Sequence, residues 1–149
     1  MWYDLLRRGG APAKSLVAAM PNIPQTLMRH FIRGYVDGDG YLYWEHSQRR
    51  RPAMGIVGGI AFLERLALVL AEETGVGVAN VKVYTDKTPH IVYTGIKAKV
   101  LAKWLYIDTY LALERKASIA REFDAWELSK FGWKSHEIMT PKMREILAW

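Results

Sequence analysis

Two carboxylates separated by a single residue, Asp37 and Asp39, alternate with glycines in the run Phe31-Ile32-Arg33-Gly34-Tyr35-Val36-Asp37-Gly38-Asp39-Gly40. They fall where a helical pattern ends. Leu27, Phe31, Ile32 and Tyr35 recur at helical intervals from Gln25 to about Val36, and Pro24 suits a first turn because its missing N–H has no duty there. Carboxylates at a helix C-terminus are electrostatically misplaced, since the macrodipole favours cations at that end. A divalent cation would offset both the acids and the exposed carbonyls, which makes metal chemistry the first candidate and a structural turn the bland alternative. A calcium-loop register fails, because with Gly40 at the obligatory glycine the first and twelfth positions become Tyr35 and His46. Gly34 and Gly38 lie one turn apart on one side, so a second helix can approach closely there.

Other residue patterns carry less chemistry. The chain has no cysteine, which excludes a disulfide scaffold, a thiolate metal site and a cysteine nucleophile. His30 and His46 are not spaced as a metal pair. Gly55, Gly58 and Gly59 lack dinucleotide-loop spacing and fit close strand–helix packing instead.

The elements that must position Asp37 and Asp39 follow from periodicity. Tyr41 to His46 alternates as a strand, Ser47 to Arg51 forms a basic turn, and Met54 to Val57 returns as a second strand. An amphipathic helix runs from about Ile60 to Thr74, stopped by Gly75 and Gly77. Val81 to Tyr84 and Ile91 to Thr94 predict two more strands, and helical patterns follow around Ile96 to Trp104 and from about Leu111 to Trp126, with a short helix from Pro141. The order is αββαββα with trailing helices, an α+β domain on one four-stranded antiparallel sheet. We expect residues 1–23 to form a packed connector, 24–126 the domain and 127–149 a C-terminal helical extension.

Alternation along each strand predicts one sheet face on the helices and one open face. Leu42, Trp44, Val81, Val83, Ile91 and Tyr93 fit the packed face. The open face would carry Tyr43, Glu45, Asn80, Lys82, Tyr84 and His90, with Ser47, Arg49, Arg50, Arg51 and Lys87 in the turns. Such a face suits a DNA major groove, which admits a two-stranded ribbon; a merely solvated face is the alternative. The charge supports a polyanionic partner: 149 residues carry 21 Lys+Arg against 15 Asp+Glu, a net charge of +6, and the pI is about 9.6. No apolar run approaches the roughly 18 residues of a membrane span and the first residues lack a signal-peptide core, so a soluble intracellular protein is expected.

Ile32 to Gly40 resembles the nine-residue signature of the LAGLIDADG homing endonucleases. Pro21-Asn22-Ile23-Pro24 leading into the motif, the glycine-rich second strand, Leu63 and Leu66, and LYID followed by LERK extend the likeness from about Lys14 to Phe123. The resemblance implies the family's fold, with a saddle-shaped four-stranded sheet, and Mg²⁺-dependent hydrolysis of double-stranded DNA at a long near-palindromic site. By position, Asp39 matches the metal-binding catalytic carboxylate and the Gly38 carbonyl an auxiliary ligand. Asp37, Gly34 and Gly38 match the interface of a helix pair, and Lys116 matches a basic residue near the metals, with Arg115 as its neighbour. Gly59 stands where some relatives carry a polar water-positioning side chain.

One motif implies a homodimer, or else the second half of a larger enzyme, because the residues before Pro21 look like the end of a first repeat. An inactive DNA- or RNA-binding relative, such as a splicing maturase or regulator, and a half-enzyme subunit are the competing readings.

Overall fold

A computed structural model describes residues 20–46, 50–84, 88–127 and 138–149. The expected connector over residues 1–23 therefore lies almost wholly outside the described residues. In chain order the elements are α1 (Gln25–Asp39), β1 (Gly40–Glu45), β2 (Arg51–Val57), α2 (Ile60–Thr74), β3 (His90–Thr94), α3 (Ile96–Tyr106), α4 (Glu114–Asp124) and α5 (Pro141–Ala148). The fold is α+β on an antiparallel sheet ordered β1-β2-β3.

Hydrophobic alternation sets the layers. Leu42, Met54 and Tyr93 form one cross-strand row, Gly40, Ile56 and Ile91 another, and both face the helices. Against them pack Ile32 and Val36 of α1, Leu63, Leu66 and Leu70 of α2, Leu101 and Leu105 of α3, Phe123 of α4, and Met143 and Ile146 of α5. Helix α5 thus belongs to the same core, not to a separate layer. Trp44 reaches this side too, meeting the Phe123 ring edge-on at 5.0 Å between centroids.

A full fourth strand is not found among the described residues. Residues 81–84 contribute a single bridge, in which Lys82 and His90 exchange N–H···O bonds of 2.8 and 3.0 Å. Val81 packs on the core, but Val83, assigned above to the packed face, is 59% exposed. Alternation there lacks the apolar partner that would hold a longer ladder. Strand β2 also begins earlier than expected, at Arg51, and the last long helix starts at Glu114 rather than Leu111.

The C-terminus of each of α1 to α5 is closed by a cation from another helix. Arg29 and Arg33 of α1 reach the end of α3, donating to the carbonyls of Ile107 at 2.6 Å, Leu105 at 3.3 Å and Leu111 at 2.9 Å. Lys99 of α3 donates to the carbonyls of Asp124 and Trp126 at the end of α4, at 2.6 and 2.9 Å. Lys103 reaches Leu147 in α5, and Lys142 of α5 reaches Glu72 in α2. Lys116 of α4 returns to the end of α1, closing a ring of α1, α3 and α4. A helix leaves its last carbonyls unpaired with partial negative charge, so a cation there satisfies both the hydrogen bonds and the dipole.

Candidate active site at the end of the first helix

The two carboxylates of the motif part company. Asp37 is held: its Oδ1 accepts the Tyr106 hydroxyl at 2.8 Å and its Oδ2 the Leu113 backbone N–H at 3.1 Å. Burial and that bond push the Tyr106 phenol well above its ordinary range. Asp37 therefore ties the end of α1 to the end of α3 and to the loop before α4. Asp39 is exposed and accepts no hydrogen bond among the described residues. Its charge is felt at Tyr35, whose phenol burial and Asp39 raise to about 12. Tyr35 donates to the Val57 carbonyl at 2.9 Å, lying beside Gly58, where a Cβ would meet its hydroxyl at 2.5 Å. The expected close approach of strand and helix at the Gly58 region is thus filled by a tyrosine.

Lys116 is neither an exposed helix cation nor a group facing solvent. It is 2% exposed, and its Nζ donates to the carbonyls of Val36 at 2.5 Å, Asp37 at 2.8 Å and Gly40 at 2.6 Å. Those bonds occupy all three ammonium protons. Burial and then Arg115 lower its pKa, while Asp37 and Asp39 oppose the shift. The Gly38 carbonyl is not among the three that Lys116 holds.

Gly34 and Gly38 are exposed, and a Cβ at either would meet nothing within 4 Å. With Leu27, 53% exposed, and His30 they form an open stripe along α1. His30 Nδ1 accepts an N–H of the Arg33 guanidinium at 2.9 Å, a structural contact. Among the described residues of one chain, no three Asp, Glu or His side chains converge to hold a metal, and no helix is long and apolar enough to cross a membrane.

The open sheet face is arranged in rows by the register: Glu45 beside Arg51; Tyr43, Ala53 and Thr94; Tyr41, Gly55 and Val92; Val57, His90 and Lys82. Glu45 and Arg51 are spent on each other, with the guanidinium Nε and Nη2 donating to one carboxylate oxygen at 3.0 and 2.7 Å. Tyr84 stacks on His90 at 5.5 Å, and Asn80 and Lys82 are exposed. Arg50 sits over the Trp44 ring at 4.4 Å, away from the open face, and its carbonyl accepts the Trp126 indole N–H. Ser47, Arg49 and Lys87 lie outside the described residues. Tyr41 was missing from the sequence candidates, although stepping back two residues from Tyr43 places it on the same face.

No family model matches the chain. A stretch of 61 residues, 40% of this chain, is 36% identical to the [F-actin]-monooxygenase mical2b of Danio rerio, and it spans 4% of that protein's length. Among solved structures, the homing endonuclease I-CvuI in complex with its target and calcium is 16% identical, with 70% of each chain covered and a TM-score of 0.49. The same enzyme on an I-CreI target, with magnesium and the DNA not cleaved, covers 83% of this chain and 94% of its own at 16% identity and a TM-score of 0.43. The homing endonuclease I-TnaI is 14% identical over 80% of this chain and 93% of its own, with a TM-score of 0.47.

Chemically, the end of α1 presents one free carboxylate on a rigidly tied backbone, next to a helix face that a second helix can meet. A single carboxylate and a nearby carbonyl are too few for an enclosed cation site. They suit a hard ion that keeps waters and shares its remaining positions with phosphate oxygens and a second acid.

Proposed function

We propose that this chain is a site-specific double-stranded DNA endonuclease of the homing type, hydrolysing phosphodiesters with Mg²⁺ as a homodimer paired through Gly34 and Gly38. The observation that carries the reading is the split between the two acids: Asp37 has both oxygens bonded within the chain, whereas Asp39 stands free where the helix dipole disfavours it. A side chain kept at an electrostatic cost and without a partner marks a ligand. Pairing two α1 helices across the open glycines brings two Asp39 side chains together near the axis of a symmetric dimer, supplying the second acid. Asp39, with the Gly38 carbonyl, would hold the ion, which when bound offers Lewis-acid stabilisation and a water of lowered pKa.

The chain's own residues supply position. Asp37, Tyr106 and the Leu113 N–H fix where α1 ends, and Lys116 fixes the carbonyls around Asp39. Lys116 would therefore work as a positioning residue through the backbone, and its exposed neighbour Arg115 would be the cation that meets a phosphate. Lys82, Asn80, Tyr43, Tyr84 and His90 on the open face, with the turn residues Ser47, Arg49 and Lys87, would contact nucleic acid. A DNA substrate implies an intracellular site of action.

A second reading, binding without cleavage, is favoured by one feature: with Lys116 spent on backbone carbonyls, that position offers no ammonium proton to a developing phosphate charge. Incubating a randomised near-palindromic duplex library with protein and Mg²⁺, with EDTA and Asp39→Asn as controls, decides between them. Metal- and Asp39-dependent staggered ends support the nuclease; selective retention without cutting supports the binder.

A further inference from the structure

The segment between α3 and α4 shows its apolar side chains to solvent. Tyr110 and Leu111 are 103% and 83% exposed and Leu113 is 42% exposed, although the backbone that carries them is fixed. Arg33 Nε and the Thr109 hydroxyl both donate to the Leu111 carbonyl, and Asp37 accepts the Leu113 N–H. Large apolar side chains held outward on a tethered backbone gain nothing from their own chain, and adjacent ones mark a contact with something else.

Their place follows from α1. At about 100° per residue, Leu27, Gly34 and Gly38 fall within one narrow stripe. Round the helix in one direction from that stripe come His30, Asp37 and Arg33, and the last two bind the 107–113 segment. In the other direction come Phe31 and Tyr35. Tyr35 reaches the start of α2, where its hydroxyl donates to the Val57 carbonyl and its ring meets Phe62, 4.4 Å between centroids. The open stripe thus runs between two walls, Tyr110 and Leu111 on one side and the first turn of α2 on the other. That turn is itself open, with Ile60 47% exposed.

Two copies that bring both Asp39 side chains to one axis lie with their α1 helices parallel, and the two-fold then runs along them. Half a turn about such an axis exchanges the walls, so the 107–113 segment of each copy comes opposite the α2 wall of the other. We infer that Tyr110 and Leu111 form a second contact of the homodimer, packing on the first turn of the partner's α2 beside Ile60 of the partner subunit. The inference rests on the pairing proposed above and names what else holds it. Glycines let two backbones approach but bury little apolar area, so the stripe alone supports only weak association.

Sedimentation equilibrium of the DNA-free chain tests it. By symmetry each substitution on the segment removes two contacts, so Tyr110→Ser and Leu111→Ser should each weaken self-association by at least about 10-fold. Val78→Ser, at another exposed residue beyond the end of α2, should change it by less than about twofold. The Tm of the monomer should not move, because these side chains are exposed within one copy. The chain has no cysteine, so Leu111→Cys and Ile60→Cys each introduce a single thiol. A short bismaleimide should join the two variants when they are mixed and should not join Leu111→Cys to itself. Association unchanged by Tyr110→Ser and Leu111→Ser overturns the inference and leaves the glycine pairing standing. A lower Tm with unchanged association puts the cover within the same chain and overturns it as well. Joining of Leu111→Cys to itself and not to Ile60→Cys sets the helices antiparallel, which overturns the contact together with the sharing of an axis by Asp39. A wild-type chain that stays monomeric at every concentration overturns the pairing itself, and the contact with it.

Discussion

Replacing Lys116 by methionine separates a cation that holds the helix end from one that faces a substrate. Methionine keeps most of the buried stem and removes the ammonium, so three charge-assisted bonds to Val36, Asp37 and Gly40 are lost. Val36 retains the Gly40 N–H on its carbonyl, so the loss is counted at the other two. Hydrogen bonds to charged groups contribute roughly 1.5–3 kcal/mol each, giving about 3–6 kcal/mol. Part is returned because the ammonium no longer has to be desolvated, the same burial that lowers its pKa. A net loss of about 2–4 kcal/mol remains, which for a chain near 150 residues corresponds to a fall in Tm of roughly 5–15 °C. Differential scanning calorimetry checks it, with the exposed Arg115→Met as a control expected within about 0.5 kcal/mol of wild type. A Lys116→Met protein that melts within about 2 °C of wild type would refute the capping argument and return Lys116 to the substrate side.

Asp37→Ala should destabilise by about 2 kcal/mol through the stranded Tyr106 hydroxyl and Leu113 N–H, whereas Asp39→Asn should raise stability by about 0.3–1 kcal/mol by relieving the helix dipole; urea midpoints compare them. Gly34→Ala should stabilise the monomer by about 0.5–1 kcal/mol, since its Cβ meets nothing, and should reduce self-association measured by sedimentation. Stability should also fall as pH rises above about 10. Tyr106 and Tyr35 have folded pKa values raised above the unfolded value of 10.0, so the folded state binds more protons there and its advantage is lost as pH climbs toward the folded values. Lys99 and Lys116, lowered from 10.5, act in the opposite direction, so the clean readout is the difference: Tyr106→Phe should show a shallower fall of urea midpoint between pH 9 and 11 than wild type, and parallel curves would refute the assignment.

Short-range pattern made much of this architecture readable. The helix over residues 60–74, the aromatic strand after Gly40 and the antiparallel return were visible because their apolar spacing coincides with what they bury. Val83 misled because alternation says which residues share a face, not whether anything covers it. The site was half legible. Asp37 and Asp39 stand out by type, but their opposite fates depend on Tyr106 and Leu113, about seventy residues away, which no local pattern reveals. Lys116 was recognisable as a residue of interest and its role was not, since three backbone carbonyls of α1 decide it. The same holds for the charge. Arg29, Arg33, Lys99, Lys103, Lys116 and Lys142 each close a helix end, so part of a basic composition that reads as affinity for a polyanion serves the fold. Tyr41 needed only the period-two step that places it beside Gly55.

The most direct test of the central claim is metal-dependent cleavage by matched wild-type and Asp39→Asn proteins, both shown to be folded, on the near-palindromic duplex library. The account predicts symmetric staggered ends with Mg²⁺ and wild type, none with EDTA, and none with Asp39→Asn despite its equal or higher Tm. Cleavage by Asp39→Asn at the wild-type rate would contradict it.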